Sequence, residues 1–464
     1  MPKSPSPTSK QRVRVVQGSC WPCKKRRIKC DLTKPVCMRC GLVGAACDYS
    51  ARLIRWSTRP AVTVPPIYHI TSRDEQLAAS LAVYEKRALD YFHGRFWPLL
   101  TTATEPCTPP ILVALEHRVV LLATCVLADA HRWLQDGRNS RSILNVKRLE
   151  CLAALRVEVD DCCAKGDGPL QTLLFAVLLL YFHDGFLECT EVSASTLSHR
   201  DGVLAIVNRL GGPEAVLDTG QDPLHLLLSE FASADLATAM LKGKTPSFPP
   251  NIWDCVDKGP VWWGRDSLGR HSLSAVFKEI SNMAFYVDSL SRMCEEFSIA
   301  RIRQFEAALQ PMYAPLAVED LDSPGSESTE PADKDLEATH AYALIRTFQH
   351  AALIYLYRAV CGLPVHHPLV QQHTQSCLDC IFGIKRPSKV LNCIVLPLCI
   401  AGAHAEHVKQ QKGVRNMVAI IYDEIRFASV HSVNAALDSI WKSDPSNMTW
   451  SDMFTGLNPQ AIVL

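Results

Sequence analysis

CWPCKKRRIKCDLTKPVCMRCGLVGAAC, residues 20–47, decides the reading of this chain. Its six cysteines, Cys20, Cys23, Cys30, Cys37, Cys40 and Cys47, follow the spacing C-x2-C-x6-C-x6-C-x2-C-x6-C. The pattern is one unit written twice, C-x2-C-x6-C, with a six-residue link between the copies. Soft thiolates at short, regular spacing select zinc, and structural zinc is four-coordinate and tetrahedral. Two separate zinc ions would need eight thiolate positions, and six cysteines fall two short. The shortfall is met if two sulfurs bridge both metals, and the repeat points to the first cysteine of each half, Cys20 and Cys37. One zinc then takes Cys20, Cys23, Cys30 and Cys37; the other takes Cys37, Cys40, Cys47 and Cys20. A C-x2-C pair turns two sulfurs to one point at the start of a helical turn, so each half is expected to form one short helix. The competing reading is a disulfide framework. It is not expected here, because the preceding residues are Pro, Ser and basic, with no apolar stretch of a secretory signal. Metal storage would need more cysteine and less of everything else.

Between the second and third cysteines lies a basic run, Lys24-Lys25-Arg26-Arg27-Ile28-Lys29. Residues 1–60 hold 14 Lys or Arg against Asp31 and Asp48, a net of +12, while the remainder carry 34 basic and 45 acidic groups, a net of −11. The overall charge of +1 therefore hides a strongly asymmetric chain. A concentrated positive segment is an electrostatic footprint for a polyanion. Lys10, Arg12 and Arg14 before the cluster, and Arg52, Arg55 and Arg59 after it, are placed to follow phosphates. Arginine's planar fork bonds O6 and N7 of guanine together, which discriminates bases by about 1–3 kcal/mol. A structural zinc site supplies on the order of 10–16 kcal/mol of apparent binding energy to a peptide too small for its own core.

With the Cys30-Asp31 pair and Lys34-Pro35 before Cys37, this stretch resembles the DNA-binding domain of the fungal binuclear zinc-cluster transcription factors. The resemblance implies two Zn(2+) ions, double-stranded DNA as partner, and a place in the nucleus. It implies a first short helix pointed into the major groove over a CGG triplet. Arg26 and Arg27 take the position of the base-contacting pair; Lys24, Lys25 and Lys29 take positions of phosphate contacts. Pro35 is expected to turn the loop between the halves. Members often carry a dimerising coiled coil just after the cluster. Here Leu53, Ile54, Val62, Val64 and Ile67 hold no heptad pattern. A monomer, or a homodimer through the C-terminal domain, is expected instead.

Residues 1–15 read as a disordered basic tail, 16–50 as the cluster domain, and 51–72 as a linker in which Pro60, Pro65 and Pro66 block a helix. Residues 73–464 are long enough for a sizeable core. Leu77, Leu81, Tyr84, Ala88 and Tyr91 form one stripe of an amphipathic helix that Pro98 ends. Further helices are expected at about 110–131, 142–164, 170–187 and 334–361. Another is capped by Ser193 or Ser195 and stopped by Gly211-Gly212. No strand-like alternation stands out. The expected fold is a small zinc-nucleated domain, two short helices around a two-zinc cluster, followed by a large all-α domain. The acidic, Ser/Pro-rich island at 318–336 is expected to be a mobile surface loop. The longest apolar run, Leu173–Phe182, is about half of the ~20 residues a membrane span needs, so no membrane contact is expected. The segments ALDYFHGRFWPLL at 88–100, HRDGVLAIVNRLGG at 199–212, AALIYLYRAVCGLP at 351–364, LPLCIAGAHA at 396–405 and the tail WKSDPSNMTWSDMF are similar to the helical regulatory domain of the same factors, of the sterol-uptake regulator kind.

Catalytic candidates are thin: His183-Asp184, His199-Arg200-Asp201, His366-His367 and Cys377-x2-Cys380. No phosphate loop, nucleophile elbow or H-E-x-x-H helix is present, and an enzyme is not expected. The later cysteines read as core residues. Two functions remain. One is a sequence-specific DNA-binding transcription regulator, an activator of a metabolic or secondary-metabolite gene set that works with coactivators. The alternative is a ligand-sensing receptor-regulator whose helical domain binds a small apolar effector.

Overall fold

The computed structural model describes residues 19–26, 28–49, 80–103, 106–137, 142–165, 170–263, 272–310, 331–443 and 448–464. The chain divides into two compact units, Met1–Ile70 and Thr71–Leu464. The N-terminal unit contains two short helices, α1 (Trp21–Arg26) and α2 (Met38–Gly41), around a core made of Cys20, Cys23, Cys30, Cys37 and Cys40. The expected tail at 1–15 and linker at 51–72 lie outside the described residues.

The larger unit is helical, and no strand occurs among the described residues of the chain. Helix α3 (Val83–Tyr91) starts where the Glu85 side chain turns back to accept the Ala82 N–H at 2.8 Å. Its inward face carries Glu85, Ala88 and Leu89, so Tyr84 departs from the expected stripe and is exposed, with the Lys147 ammonium 4.5 Å from its ring. The stripe's first member, Leu77, lies outside the described residues. A π-helical turn (Phe92–Phe96) and a 3-10 turn (Trp97–Leu100) follow, with Pro98 in the first positions of the latter.

The helix expected at 110–131 is two helices, α4 (Ile111–Glu116) and α5 (Arg118–Asp136), broken at His117, which is extended. Gly137, at φ 63°, ends α5 in the left-handed conformation that glycine adopts without penalty. Then come α6 (Ser142–Lys165) and α7 (Leu170–Phe182), the latter continuing into a π turn (His183–Leu187). Helix α8 (Thr196–Arg209) follows Ser195 and stops before Gly211 and Gly212, which have φ of 97° and 101° as a left-handed stop requires.

Short α9 (Pro213–Leu217) leads to α10 (Asp222–Leu241), short α11 (Ile252–Val256), α12 (Leu273–Ser291) and α13 (Ile299–Ala308). Helix α14 (Pro331–Tyr355) begins with Pro, whose missing N–H costs nothing at a helix start, and so takes the end of the acidic island expected to be loop. Residues 318–330 of that island lie outside the described residues. A π turn (Leu356–Val360), α15 (Pro368–Phe382), α16 (Val395–Ala403), α17 (Val408–Ile425), α18 (Ala428–Lys442) and short α19 (Trp450–Met453) complete the unit.

Helix α5 packs on α3, α6 and α7, and α7 packs on α8; farther along the chain α14, α15 and α16 pack on one another, and α16 packs on α17 and α18. Helix α10 joins the halves by touching both α7 and α12. Helices α7 and α10 are buried nearly all round, and a helix of that kind belongs inside a core. The segments Leu170–Leu187 and Asp222–Leu241 are long and apolar enough to span a membrane, contrary to the apolar run read from sequence, but 89% and 94% of them are buried in this unit. Each is a core element here, and burying such leucines stabilises by about 1.5–3 kcal/mol per side chain.

Candidate metal centre and nucleic-acid interface

The two halves of the cysteine repeat fold alike. In the first, Cys20 and Cys23 flank the start of α1, and the Ile28 N–H donates to the Cys23 carbonyl at 3.1 Å. In the second, Cys37 caps α2, Cys40 lies within it, and the Ala45 N–H donates to the Cys40 carbonyl at 3.1 Å. Residues 28 and 45 are each five positions past the second cysteine of their half, and both pack against the sulfurs. The same spacing thus gives the same return to the centre twice.

Six sulfurs converge between the halves. Cys20 Sγ lies 3.6 Å from both Cys37 Sγ and Cys40 Sγ, and Cys23 Sγ lies 3.6 Å from Cys37 Sγ. Cys30 Sγ lies 3.8 Å from Cys20 Sγ. A tetrahedron with Zn–S bonds of about 2.3 Å has edges of roughly 3.8 Å, so these separations fit zinc ligation. They also group naturally into two sets of four within 4.8 Å, Cys20, Cys23, Cys30, Cys37 and Cys20, Cys37, Cys40, Cys47. Cys20 and Cys37 belong to both sets. Burial pushes the Cys40 thiol up to about 12 and the Cys20 thiol higher. Cys47 is pulled the other way, chiefly because the Cys37 N–H donates to its sulfur at 3.4 Å. A bound cation supplies the charge that lets such buried sulfurs shed their protons, so metal uptake and proton release are linked.

The basic run surrounds this centre on the α1 side. Lys25, Arg26 and Lys29 are exposed. The side chain of Lys24 and all of Arg27 lie outside the described residues. Arg26 is turned toward the sulfurs: its guanidinium donates to Cys40 Sγ at 3.4 Å and to the Arg39 carbonyl at 3.3 Å. It ties the first half to the second. Asp31 does the same from the other side, accepting the Met38 N–H at 3.1 Å at the start of α2. The Thr33 hydroxyl and that N–H hold the Asp31 carboxyl well below the usual range. Pro35 sits in the bend between the halves, after a cis peptide bond from Lys34. Tyr49 closes the unit by donating to the Thr33 carbonyl at 2.9 Å, with its oxygen 3.6 Å from Cys30 Sγ. The sequence pattern carried no metal-ligand signal for Tyr49; only its place two residues after Cys47 marks it.

The remaining candidates are engaged in the helical unit. Asp184 accepts from Arg148 at 2.6 Å and is 2.7 Å from His183 Nδ1 and 3.4 Å from His199 Nε2. Arg200 pairs with Asp235 at 2.8 Å. Cys377 is fully buried, 3.5 Å from the Thr347 carbonyl, as a core cysteine is.

Residues 18–56 match the family described as the fungal Zn(2)-Cys(6) binuclear cluster domain. Residues 87–461 match the fungal specific transcription factor domain. Among curated proteins the chain is similar to the transcriptional regulatory protein moc3 of Schizosaccharomyces pombe (strain 972), 29% identical over 89 residues. That stretch is 19% of this chain and 18% of the relative. No solved structure matches. The paired cysteine sets, the basic run beside them and these matches agree: the chain belongs to the fungal binuclear zinc-cluster transcription factors, DNA-binding transcription regulators, and its cluster domain is of the two-zinc kind.

Proposed function

We propose that this regulator binds a CGG-like triplet in the major groove and activates a metabolic gene set from the nucleus. The observation that carries the reading is the pair of cysteine sets sharing Cys20 and Cys37, with the basic run presented beside them. The shared membership supports Cys20 and Cys37 as the bridging ligands, with Cys23 and Cys30 completing one zinc and Cys40 and Cys47 the other. Arg27 and Arg26 read bases; Lys24, Lys25 and Lys29 hold phosphates. Arg26 reads from a guanidinium already bonded to the second half, so its base contact and the cluster's geometry depend on each other. Activation and coactivator contacts are supported by the family resemblance; a monomer, or a homodimer through the helical unit, follows from the missing heptads after the cluster.

A second reading is control of the regulator by a small apolar effector. The observation bearing on it is a small cavity around Glu230 in the helical unit, about 20 Å³ in volume, which would have to widen to admit such an effector.

Selection of bound sequences from random DNA with the intact protein tests the first reading. It is expected to return CGG-like triplets, one for a monomer and two for a dimer. Arg27→Ala should relax choice at one base pair by about 1–3 kcal/mol. Lys29→Ala should weaken all sequences alike and reduce the salt slope by about one. Absence of any enriched triplet, or identical behaviour of the two variants, contradicts the assigned roles.

A further inference from the structure

Residues 61–464 carry a net charge of −11, yet one exposed corner of the helical unit is basic. Lys385 and Arg386 lie in the loop after α15, and Lys409 and Lys412 lie in the first half of α17. Phe382, 39% exposed, joins the two pairs: it ends α15, and a Cβ on Gly413 would lie 2.7 Å from its Cζ. Among the described residues, none of the four cations has an ion pair. Their neighbours Arg415 and Lys389 are engaged, with Asp438 at 2.9 Å and the Ala103 carbonyl at 2.7 Å. Of the acids on these elements, Asp379 accepts from Gln375 at 2.6 Å, and Glu406 precedes α17 without pairing with the corner. Cations just past a helix end complement its dipole, which accounts for Lys385 and Arg386. It does not account for Lys409, which sits in the first turn of α17, where the dipole attracts anions.

Residues 318–330 are the complement in charge. They hold Glu319, Asp320, Asp322, Glu327 and Glu330 and no Lys or Arg. They lie outside the described residues, but the helix that follows them is placed. Helix α14 opens at Pro331 and runs antiparallel to α15: His350 Nδ1 is 2.9 Å from His373 Nδ1, and His340 Nδ1 is 3.2 Å from Ser388 Oγ. The start of α14 therefore lies past the end of α15, on the side of the loop that carries Lys385 and Arg386. From Pro331 to His340 the helix rises by about 14 Å. An extended chain covers that distance in about four residues.

We propose that residues 318–330 dock in cis on the corner formed by Lys385, Arg386, Lys409 and Lys412, and that this cover keeps the helical unit off DNA. Four open cations on a DNA-binding protein would add phosphate contacts without regard to sequence. Covered, they leave phosphate binding to the basic run beside the zinc centre. Each exposed pair is weak, but the tether makes the contact intramolecular, at an effective concentration in the millimolar range.

The test uses the intact chain. Carbodiimide joins a carboxylate to a lysine amine only while the two touch. At low salt it should link Lys385, Lys409 or Lys412 to an acid of residues 318–330 within one molecule, as read by mass spectrometry of the digest. The links should vanish at about 1 M NaCl, where the Debye length is about 3 Å. Links that form only between molecules, or none to that segment, overturn the proposal. The second measurement is the salt dependence of binding to a random-sequence duplex. Replacing the five acids by their amides should steepen the slope by roughly three to four, as four newly open cations meet phosphates. Adding Lys385→Ala, Arg386→Ala, Lys409→Ala and Lys412→Ala to that variant should restore the parent slope. The same four substitutions with the acids intact should leave the slope unchanged, because the corner is already covered. A parent slope that falls with them shows an open corner that already meets DNA, and overturns the cover.

Discussion

Asp184 has no exposed surface and still carries its charge. Burial pushes its carboxyl up, but hydrogen bonds from His183 and Arg148, with the His199 ring 3.4 Å away, outweigh burial and hold it far below the ordinary range. The Ser195 N–H adds a bond at 2.7 Å. Because the folded value is depressed, the stabilisation is fully present above the unfolded pKa of about 4 and is lost as pH falls through the lower folded value. Asp184→Asn leaves the Arg148 guanidinium, itself 9% exposed, without its counter-charge. Removing one partner of such a pair costs about 3–5 kcal/mol, so urea unfolding at pH 7 should show a loss near the lower figure. A variant as stable as the parent would remove Asp184 from its place as the junction between α6, the π turn and α8. Nothing in the sequence announced this junction. His183-Asp184 and His199 stood out as reactive residue types, but Arg148, 36 positions before Asp184, became its partner only through folding. The zinc ligands were legible because their chemistry is local: one spacing, written twice, contains the site. Tyr49, which braces that site through a hydrogen bond to the Thr33 carbonyl, left no such pattern.

Helices with one apolar stripe or one clear stop were legible in the sequence. Helix α6 begins at Ser142 as expected, and Gly211-Gly212 ends the region of α8. What escaped was the way helices end inside the core. Three of them pass into π turns, Phe92–Phe96, His183–Leu187 and Leu356–Val360, where neither Gly nor Pro supplies a common mark. Tertiary contacts select these turns, and the second shows how. Gly185 sits in it, and a Cβ there would lie 2.3 Å from Cδ1 of Ile462 and 3.2 Å from Cγ2 of Thr196. With a side chain at residue 185, the Ile462 side chain would have to shift for its segment to stay docked on the turn. Gly185→Ala is expected to cost about 1–3 kcal/mol by overpacking and to loosen that segment first. Hydrogen exchange should show the Ile462 amide, bonded to the Gly185 carbonyl, losing protection while the amides of α10 keep theirs. Unchanged protection at Ile462 would mean that the side chain rearranges and the segment stays docked.

At the scale of the whole molecule, the chain holds two units with two unlike sources of stability. The larger unit has an extensive apolar core, running from Ala88 to Leu464 without any residue of the cluster. The smaller has buried sulfur in place of a core, since among the described residues its buried apolar positions are Cys20, Cys23, Cys30, Cys37 and Cys40. A unit whose core is its metal ligands owes its folding free energy to the metal, about 10–16 kcal/mol per structural zinc. Ligand sulfurs must also lose protons to bind, so acid and chelator act in the same direction there. Adding a strong zinc chelator to the intact protein should therefore abolish DNA binding and open residues 20–47 to trypsin, which cuts after the lysines and arginines of the basic run. The main thermal transition, which belongs to residues 71–464, should keep its midpoint. A chelator that lowered that midpoint would show that the two units melt as one cooperative structure, and the zinc would then support the helical unit as well as the reading head.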